Sequence, residues 1–198
     1  MKTFCIVAAL FLVTLAGNAG AQVLNVPQTL GAGNQSIFIS ENRLYIEGDQ
    51  LNVAYGQYAR GLNDRFDFCV ATGQTRFGGR GQMYVAVGGN WNLFTWKKFS
   101  LSAYNMVSVP VTRRDEASLV LLNAMLVAGY RVNDRLALVS GLNSLWPIGK
   151  AEQGVFTPPD KKINVPVGAA VSFGKWTLFG EADVGRLSAW GVGLARGF

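Results

Sequence analysis

Apolar residues alternate with small or polar residues along most of this chain. The clearest case is Ile163–Phe173, where the odd-numbered residues are apolar and the even-numbered residues are small or polar. The same alternation recurs in Leu51–Gly56, Phe66–Ala71 and Met83–Gly88. Because successive side chains of a β-strand point to opposite faces of the sheet, a period of two residues predicts strands with one apolar face. The pattern therefore predicts an all-β fold.

Ten segments of this kind follow one another with no clear helix between them. Limits found from sequence shift by about 2 to 4 residues, so eight or twelve strands remain open alternatives. The predicted strands are Gln35–Ser40, which can extend through Leu44–Glu47, and then Leu51–Arg60, Arg65–Gly73, Gln82–Leu93, Phe99–Val111, Leu119–Val132, Arg135–Ser144, Ile163–Phe173, Trp176–Gly185 and Ser188–Phe198.

The segment Ser118–Tyr130 is ambiguous because it is apolar at both odd and even positions and rich in helix-forming residues. Taken alone, it fits a buried helix as well as a strand. Its place between two alternating segments favours a strand.

Short and longer connections interleave along the chain. The short ones are Leu62–Asp64, Thr95–Lys98, Asn133–Asp134 and Gly174–Lys175, and the longer ones are Glu41–Gln50, Gln74–Gly81, Thr112–Ser118 and Leu145–Lys162. Short periplasmic turns opposite longer extracellular loops are typical of barrels that span the bacterial outer membrane. We therefore predict a transmembrane, antiparallel up-and-down β-barrel over residues 35–198.

The N-terminal region indicates export. Lys2 precedes the apolar segment Phe4–Leu15, and Ala19–Ala21 fits a cleavage site, so residues 1–21 are predicted to be a cleaved signal peptide. Residues 22–34 show no period and are predicted to form a lead-in to the barrel. No apolar run of about 18 residues follows the signal, so no transmembrane helix is predicted there.

The last predicted strand, Ser188–Phe198, has an apolar face that consists of Trp190, Val192, Leu194 and the terminal Phe198, whereas its other face is mostly glycine and alanine. This strand, the export signal and the interleaved connections together resemble the small outer-membrane β-barrels of Gram-negative bacteria. That group includes the OmpA membrane domain, OmpX and the opacity-type adhesins. Its familiar members commonly have eight strands, so a count of ten leaves the subfamily open.

The resemblance implies a location in the bacterial outer membrane, contact with outer-membrane lipid and lipopolysaccharide, and a monomeric state. It also implies that the barrel-assembly machinery reads the final strand. The residues that would carry this assembly signal are Trp190, Val192, Leu194 and Phe198.

The absence of histidine narrows the possible chemistry. The sequence has no His, and Cys69 is the one cysteine after the predicted signal peptide. Outer-membrane proteases, phospholipases and lipid A deacylases use a His base, whose pKa near neutrality suits proton transfer. We therefore expect no enzymatic activity, no metal site of the His/Cys kind and no cofactor. The net charge of +6 comes from Lys and Arg spread along connections, which does not favour a nucleic-acid partner.

Alternation turns five charged side chains toward the predicted lumen. They are Asp67, Glu181 and Asp183, together with Arg60 and Arg131 near the periplasmic end. Acids and bases inside a barrel either lock it as an ion-pair network or line a water-filled pore. The simpler interpretation is that these charges are structural and pack a narrow interior. However, the final strand turns only Gly and Ala inward, which leaves room in the lumen for water or a slim solute.

Cations are also expected at the extracellular rim. Loop Leu145–Lys162 is rich in basic and aromatic residues, and neighbouring loops add Arg76 and Arg80. These cations would lie near the phosphates of lipopolysaccharide and could bind them. The alternative is that they are ordinary solvated loop residues. The loop residues in question are Arg113, Arg114, Trp146, Lys150, Phe156, Lys161 and Lys162.

The sequence thus predicts a narrow passive pore or a structural envelope barrel. A surface adhesin with a plugged lumen and binding loops is the alternative, and a soluble secreted β-protein is a weaker one. A continuous wet lumen would favour a pore over an adhesin, and a band of lipid-facing aromatic residues would exclude the soluble protein.

Overall fold

Ten antiparallel strands form a closed barrel in the computed structural model, and the last strand pairs with the first. The structure describes residues 29–46, 49–77, 80–111, 120–148, 163–184 and 188–198. No helix in these ranges is long and apolar enough to cross a membrane. The strands are β1 Gln35–Ile46, β2 Asp49–Asn63, β3 Phe66–Phe77, β4 Arg80–Trp96, β5 Phe99–Pro110, β6 Val120–Arg131, β7 Leu136–Ile148, β8 Ile163–Phe173, β9 Trp176–Val184 and β10 Ser188–Gly197.

Every strand pairs with its neighbours in sequence, so the topology is up-and-down as predicted. One end of the barrel, the tight-turn end, carries the connections at 64–65, 97–98, 132–135 and 174–175. The other, the loop end, carries those at 47–48, 78–79, 111–119, 149–162 and 185–187. Residues 120–130 of the ambiguous segment belong to β6, so the strand prediction is confirmed for them, while residues 118 and 119 lie outside the described ranges.

Two connections that were predicted to be long are instead mostly strand. β1 continues to Ile46 and β2 begins at Asp49, while β3 continues to Phe77 and β4 begins at Arg80. Polar residues gave these segments the composition of loops. In the structure they extend the barrel wall beyond its apolar region, where polar side chains can face outward without loss of hydration.

The outward face of the barrel is its apolar face. On β8, Val165, Val167 and Phe173 are 38%, 46% and 51% exposed, whereas Asn164 and Ala170 on the opposite face are buried. An aromatic girdle surrounds the tight-turn end, with every member at least 37% exposed: Trp96, Phe99, Tyr130, Phe173, Trp176 and Phe198. An apolar belt with an aromatic girdle is the arrangement of a barrel that spans a membrane, and it excludes the soluble alternative.

The two faces of β2 are the reverse of the predicted ones. Gln57 and Ala59 are buried in the lumen, and Tyr55 packs there with its ring centroid 5.6 Å from that of Phe38. Residues directly opposite in an antiparallel pair share a face, and Ala59 lies opposite the buried Cys69 of β3. The pairing register with β3 therefore turns the odd-numbered residues of β2 inward.

Candidate functional site in the barrel lumen

A row of inward side chains crosses the barrel from one end to the other. It follows the pairing of neighbouring strands from Asn164, near the start of β8, to Asp67, near the start of β3, and each member is at most 7% exposed. Because strands in such barrels are tilted, a row at right angles to them is inclined to the barrel axis. This polar row therefore leads from the loop end to the tight-turn end. Its members are Asn164, Asn143, Met125, Tyr104, Asn90 and Asp67.

Several side-chain amides that face the lumen carry polar atoms with no hydrogen-bond partner among the described residues. The Oδ1 atoms of Asn90, Asn123 and Asn164 are buried and have no such partner, and the same is true of both polar atoms of the Asn42 side chain. A buried polar group without a partner costs about 1–3 kcal/mol. Water or a polar solute that hydrogen-bonds to these amides would remove that cost.

At the tight-turn end, the polar row meets the chain segment 29–34. Both carboxylate oxygens of Asp67 accept the backbone N–H of Leu30, at 2.9 and 3.1 Å, and the Asn90 Nδ2 donates to Asp67 at 3.5 Å. The Leu30 side chain is partly buried against the apolar residues of the lumen. The described part of the predicted lead-in therefore folds back onto the barrel, and Asp67 holds it there.

Gly61 of β2 is the second attachment point of this segment. The Gly33 N–H donates to the Gly61 carbonyl at 2.9 Å, and the Gly61 N–H donates to the Asn34 carbonyl at 2.9 Å. A Cβ at position 61 would collide with the carbonyl oxygen of Gly31. Only glycine permits so close an approach of two backbones. Because Gly61 and Asp67 both hold residues 29–34, this segment lies across the tight-turn end of the lumen.

The middle of the lumen is narrowed by side chains from strands that do not pair with each other. The Tyr104 hydroxyl on β5 donates to Oε1 of Gln57 on β2 at 2.7 Å. The same hydroxyl also contacts the sulfur of Met106. Cys69 and Val127, which belong to the same packed cluster, are each 1% exposed. A largely apolar constriction thus lies in the middle of the lumen, and the polar row passes through it at Met125 and Tyr104.

The predicted lumen acids lie in different settings. Asp67 faces inward as predicted, but it binds the backbone of Leu30. Glu181 also faces inward, is 3% exposed, and lies between Gly168 of β8 and Gly191 of β10, where a Cβ at Gly168 would collide with the Cβ of Glu181. Asp183 belongs to β9, but its side chain lies outside the described part of the chain.

The predicted lumen bases are divided between the two faces of the barrel. Arg131 shares the inward face of β6 with Val127 and lies at the tight-turn end, three strands away from the β9 strand of Glu181. The prediction for Arg60 is wrong, because this residue is exposed and lies directly opposite the outward-facing Phe68. The reversed faces of β2 account for the error.

The outward face of β10 carries the four residues of the predicted assembly signal. Val192 and Phe198 are 38% and 52% exposed, and Trp190 and Leu194 share their face half-buried. The Phe198 N–H donates to the Gln35 carbonyl of β1 at 2.9 Å, so the terminal residue takes part in closing the barrel. Recognition of this strand by the assembly machinery stays a prediction.

The predicted rim residues fall mostly outside the described ranges, which is where Arg113, Arg114, Lys150, Phe156, Lys161 and Lys162 lie. Trp146 is described, and it belongs to strand β7 with its side chain exposed on the outer face, whereas a loop position was predicted. The difference arises because β7 extends four residues beyond Ser144 to Ile148.

The fold is similar to that of known outer-membrane barrels. An outer membrane channel from Pseudomonas putida F1 aligns with a TM-score of 0.55 at 14% identity, covering 90% of this chain and 100% of that one. The translocator domain of the autotransporter NalP from Neisseria meningitidis aligns with a TM-score of 0.49 at 9% identity, covering 100% and 95% of the two chains. No family model matches the sequence, and no curated protein matches it. The closed barrel and its apolar outer face are those of a bacterial outer-membrane β-barrel.

Proposed function

We propose that the protein is a narrow passive pore of the outer membrane for water and small polar solutes, held shut at its periplasmic end by residues 29–34. The polar row is the observation that carries this proposal. It provides hydrogen-bonding side chains at nearly every step between the two ends of the barrel, and Met125 is its one apolar member. The proposed activity involves no chemical step, in keeping with a sequence that lacks histidine.

The lumen chemistry suggests which solutes would pass. Asparagine amides both donate and accept hydrogen bonds, so they can replace part of the hydration shell of an uncharged polar solute. Glu181 adds one inward carboxylate, which favours cations over anions. The proposed pore therefore prefers small neutral and cationic solutes.

The attachment of residues 29–34 provides a way to test the pore. Alanine at Gly61 cannot coexist with the Gly31 carbonyl, so Gly61→Ala should displace the segment. Alanine at Gly56, on the same strand, would approach no described heavy atom closer than 3.9 Å and serves as the matched control. In planar lipid bilayers we expect rare, small openings from the wild-type protein, a several-fold higher open probability for Gly61→Ala, and wild-type behaviour for Gly56→Ala.

A folded Gly61→Ala barrel that never conducts would contradict the proposed pore. Folding is checked separately by the β-sheet circular dichroism and the thermal unfolding of each variant in detergent.

A plugged structural or surface-interaction barrel is the second candidate function. The hydrogen bond between Tyr104 and Gln57 favours it, because this contact joins strands across the lumen and leaves less room for a solute. If this candidate is right, no variant conducts, and loss of the contact lowers the melting temperature without opening a path. The experiment on Gly61 therefore decides between the two functions.

A further inference from the structure

A polar groove of about 400 Å³ lies on the outer face of β1, β2 and β3, near the loop end. The side chains that matter for its chemistry are Glu41, Arg43, Gln50, Asn52, Gln74 and Arg76. The groove is separate from the lumen, because these residues alternate with the inward side chains of the same three strands. It therefore has no part in the proposed pore.

The outer face changes from apolar to polar where this groove begins. On β1, Ile37 and Ile39 are 49% and 56% exposed, and the next two outward residues are Glu41 and Arg43. The outward face of β3 changes in the same way, from Phe68 and Val70 to Gln74 and Arg76. Two strands that change together mark the edge of the hydrocarbon layer, so the groove lies at the level of the lipid headgroups.

Two arginines flank the centre of the groove. Arg43 lies directly opposite Asn52, which lies directly opposite Arg76, so the two arginine backbones are separated by two strand spacings, or about 10 Å. The Arg43 guanidinium lies over Trp190 of β10, on the other side of β1 from Arg76, so a ligand that both arginines hold would draw it back across β1. The amides of Asn52 and Gln50, which are hydrogen-bonded to each other, lie between them.

Each guanidinium is held in place by a neighbouring side chain. Arg43 stacks over the Trp190 ring at 5.2 Å and forms an ion pair with Glu41 at 3.6 Å, while its buried Nε has no hydrogen-bond partner among the described residues. Arg76 donates from Nη2 to Oε1 of Gln74 at 3.3 Å. Neither contact uses the full set of five donors that a guanidinium carries.

We propose that this groove binds a phosphate group of a glycolipid in the outer leaflet. A guanidinium fork matches the geometry of phosphate oxygens, and the two arginines outweigh the single carboxylate of Glu41, so the groove keeps a positive charge. The apolar belt directly below would contact the acyl chains of the same lipid. The positive charge of the groove and its position at the membrane surface therefore both favour a lipid that carries phosphate groups there.

The test compares three probes against the delipidated protein in detergent: lipid A with its phosphates, dephosphorylated lipid A, and inorganic phosphate. Binding is followed by native mass spectrometry and by the change in tryptophan fluorescence. We expect Arg43→Gln with Arg76→Gln to weaken binding of phosphorylated lipid A by roughly tenfold or more. Arg196→Gln is the matched control, because Arg196 also stacks on an outward tryptophan but at the tight-turn end. It should bind like the wild-type protein.

Three results would overturn the proposal. Equal binding by the double variant would show that the arginines do not hold the lipid. Equal binding of dephosphorylated lipid A would show that the acyl chains alone are bound, and tight binding of inorganic phosphate would indicate a site for the free ion. Arg76→Gln alone removes one exposed cation with little packing, so it should give an intermediate loss even if the double variant unfolds. None of these measurements depends on conduction through the lumen.

Discussion

Leu30 donates its backbone N–H to both carboxylate oxygens of Asp67, at 2.9 and 3.1 Å. The two residues are 37 positions apart in sequence, and the contact joins the segment before β1 to the start of β3. Because the carboxylate is buried, this bond fixes where the chain enters the barrel. It also makes Asp67 an anchor for the entering segment.

Replacing Asp67 should therefore loosen residues 29–34. We expect Asp67→Ala to lower the free energy of unfolding by about 1–3 kcal/mol, since Leu30 and Asn90 both lose an acceptor. Amide hydrogen exchange should accelerate in residues 29–34 and remain slow in the strands. Asp67→Asn keeps one carbonyl oxygen and should have a smaller effect, and unchanged exchange in both variants would contradict the anchoring role.

The cross-lumen hydrogen bond of Tyr104 should stabilise the barrel. Tyr104→Phe leaves Oε1 of Gln57 without this donor in a buried position, so we expect a loss of about 1–3 kcal/mol in thermal or urea unfolding. Tyr130→Phe is the control, because Tyr130 is 50% exposed on the outer face. Equal stabilities of the two variants would show that the contact contributes little.

Because Val167 points outward, a charged residue at this position should destabilise the barrel, by an amount that depends on its depth in the membrane. Val167→Arg should reduce stability by roughly 2–4 kcal/mol in a bilayer, because a guanidinium would replace an apolar side chain facing the acyl chains. Val167→Leu keeps the face apolar and should be close to wild type. Refolding into lipid vesicles with a urea titration measures both, and a cost below 1 kcal/mol for arginine would place Val167 outside the apolar belt.

Deletion of Phe198 should impair assembly of the barrel in the outer membrane. The residue supplies both an exposed ring of the girdle and an N–H bond to Gln35 across the β1–β10 seam. Phe173→Ala removes a girdle ring of equal exposure away from that seam. Fractionation and surface labelling should show the deleted protein retained in the periplasm and the Phe173 variant at the surface. Normal display of both would remove the assembly role of Phe198.

Glu181 should set the ion preference of an open lumen. In the Gly61→Ala background, Glu181→Gln is expected to lower the cation preference measured as a reversal potential in a KCl gradient. Glu41→Gln changes the same charge on the outer face and should leave the reversal potential unchanged. Identical potentials in all three proteins would show that the permeation path does not pass Glu181.

Local alternation was enough to predict strands but not always their faces. Ile163–Phe173 alternates without exception and forms β8 with those limits, because one of its faces is uniformly apolar. β2 carries aromatic, polar and small residues on both faces, so its orientation follows from the register with β3 and Arg60 was assigned to the wrong side. The error shows that orientation is a property of the pair of strands when a single strand is balanced.

The site depends on contacts that are distant in sequence. The polar row is made of residues from six strands, and only the register of five successive strand pairs brings Asn164 into line with Asp67. The bond from Leu30 to Asp67 has no periodic signal, because residues 22–34 have no period. The inward direction of Asp67, by contrast, follows from Phe66–Ala71 alone and was predicted.

Because the polar row is inclined to the barrel axis, a path along it through the lumen would be a spiral with a fixed hand. The row makes five of the ten steps between neighbouring strands, so a solute that passes from one side chain to the next travels half of a turn around the barrel axis. Such a spiral descent is longer than the height of the wall, and each step except the one at Met125 exchanges one hydrogen-bonding partner for another. Transit along this path would be slow. Solutes that exchange hydrogen bonds readily would pass faster than others, so the pore would have a low flux but a high selectivity.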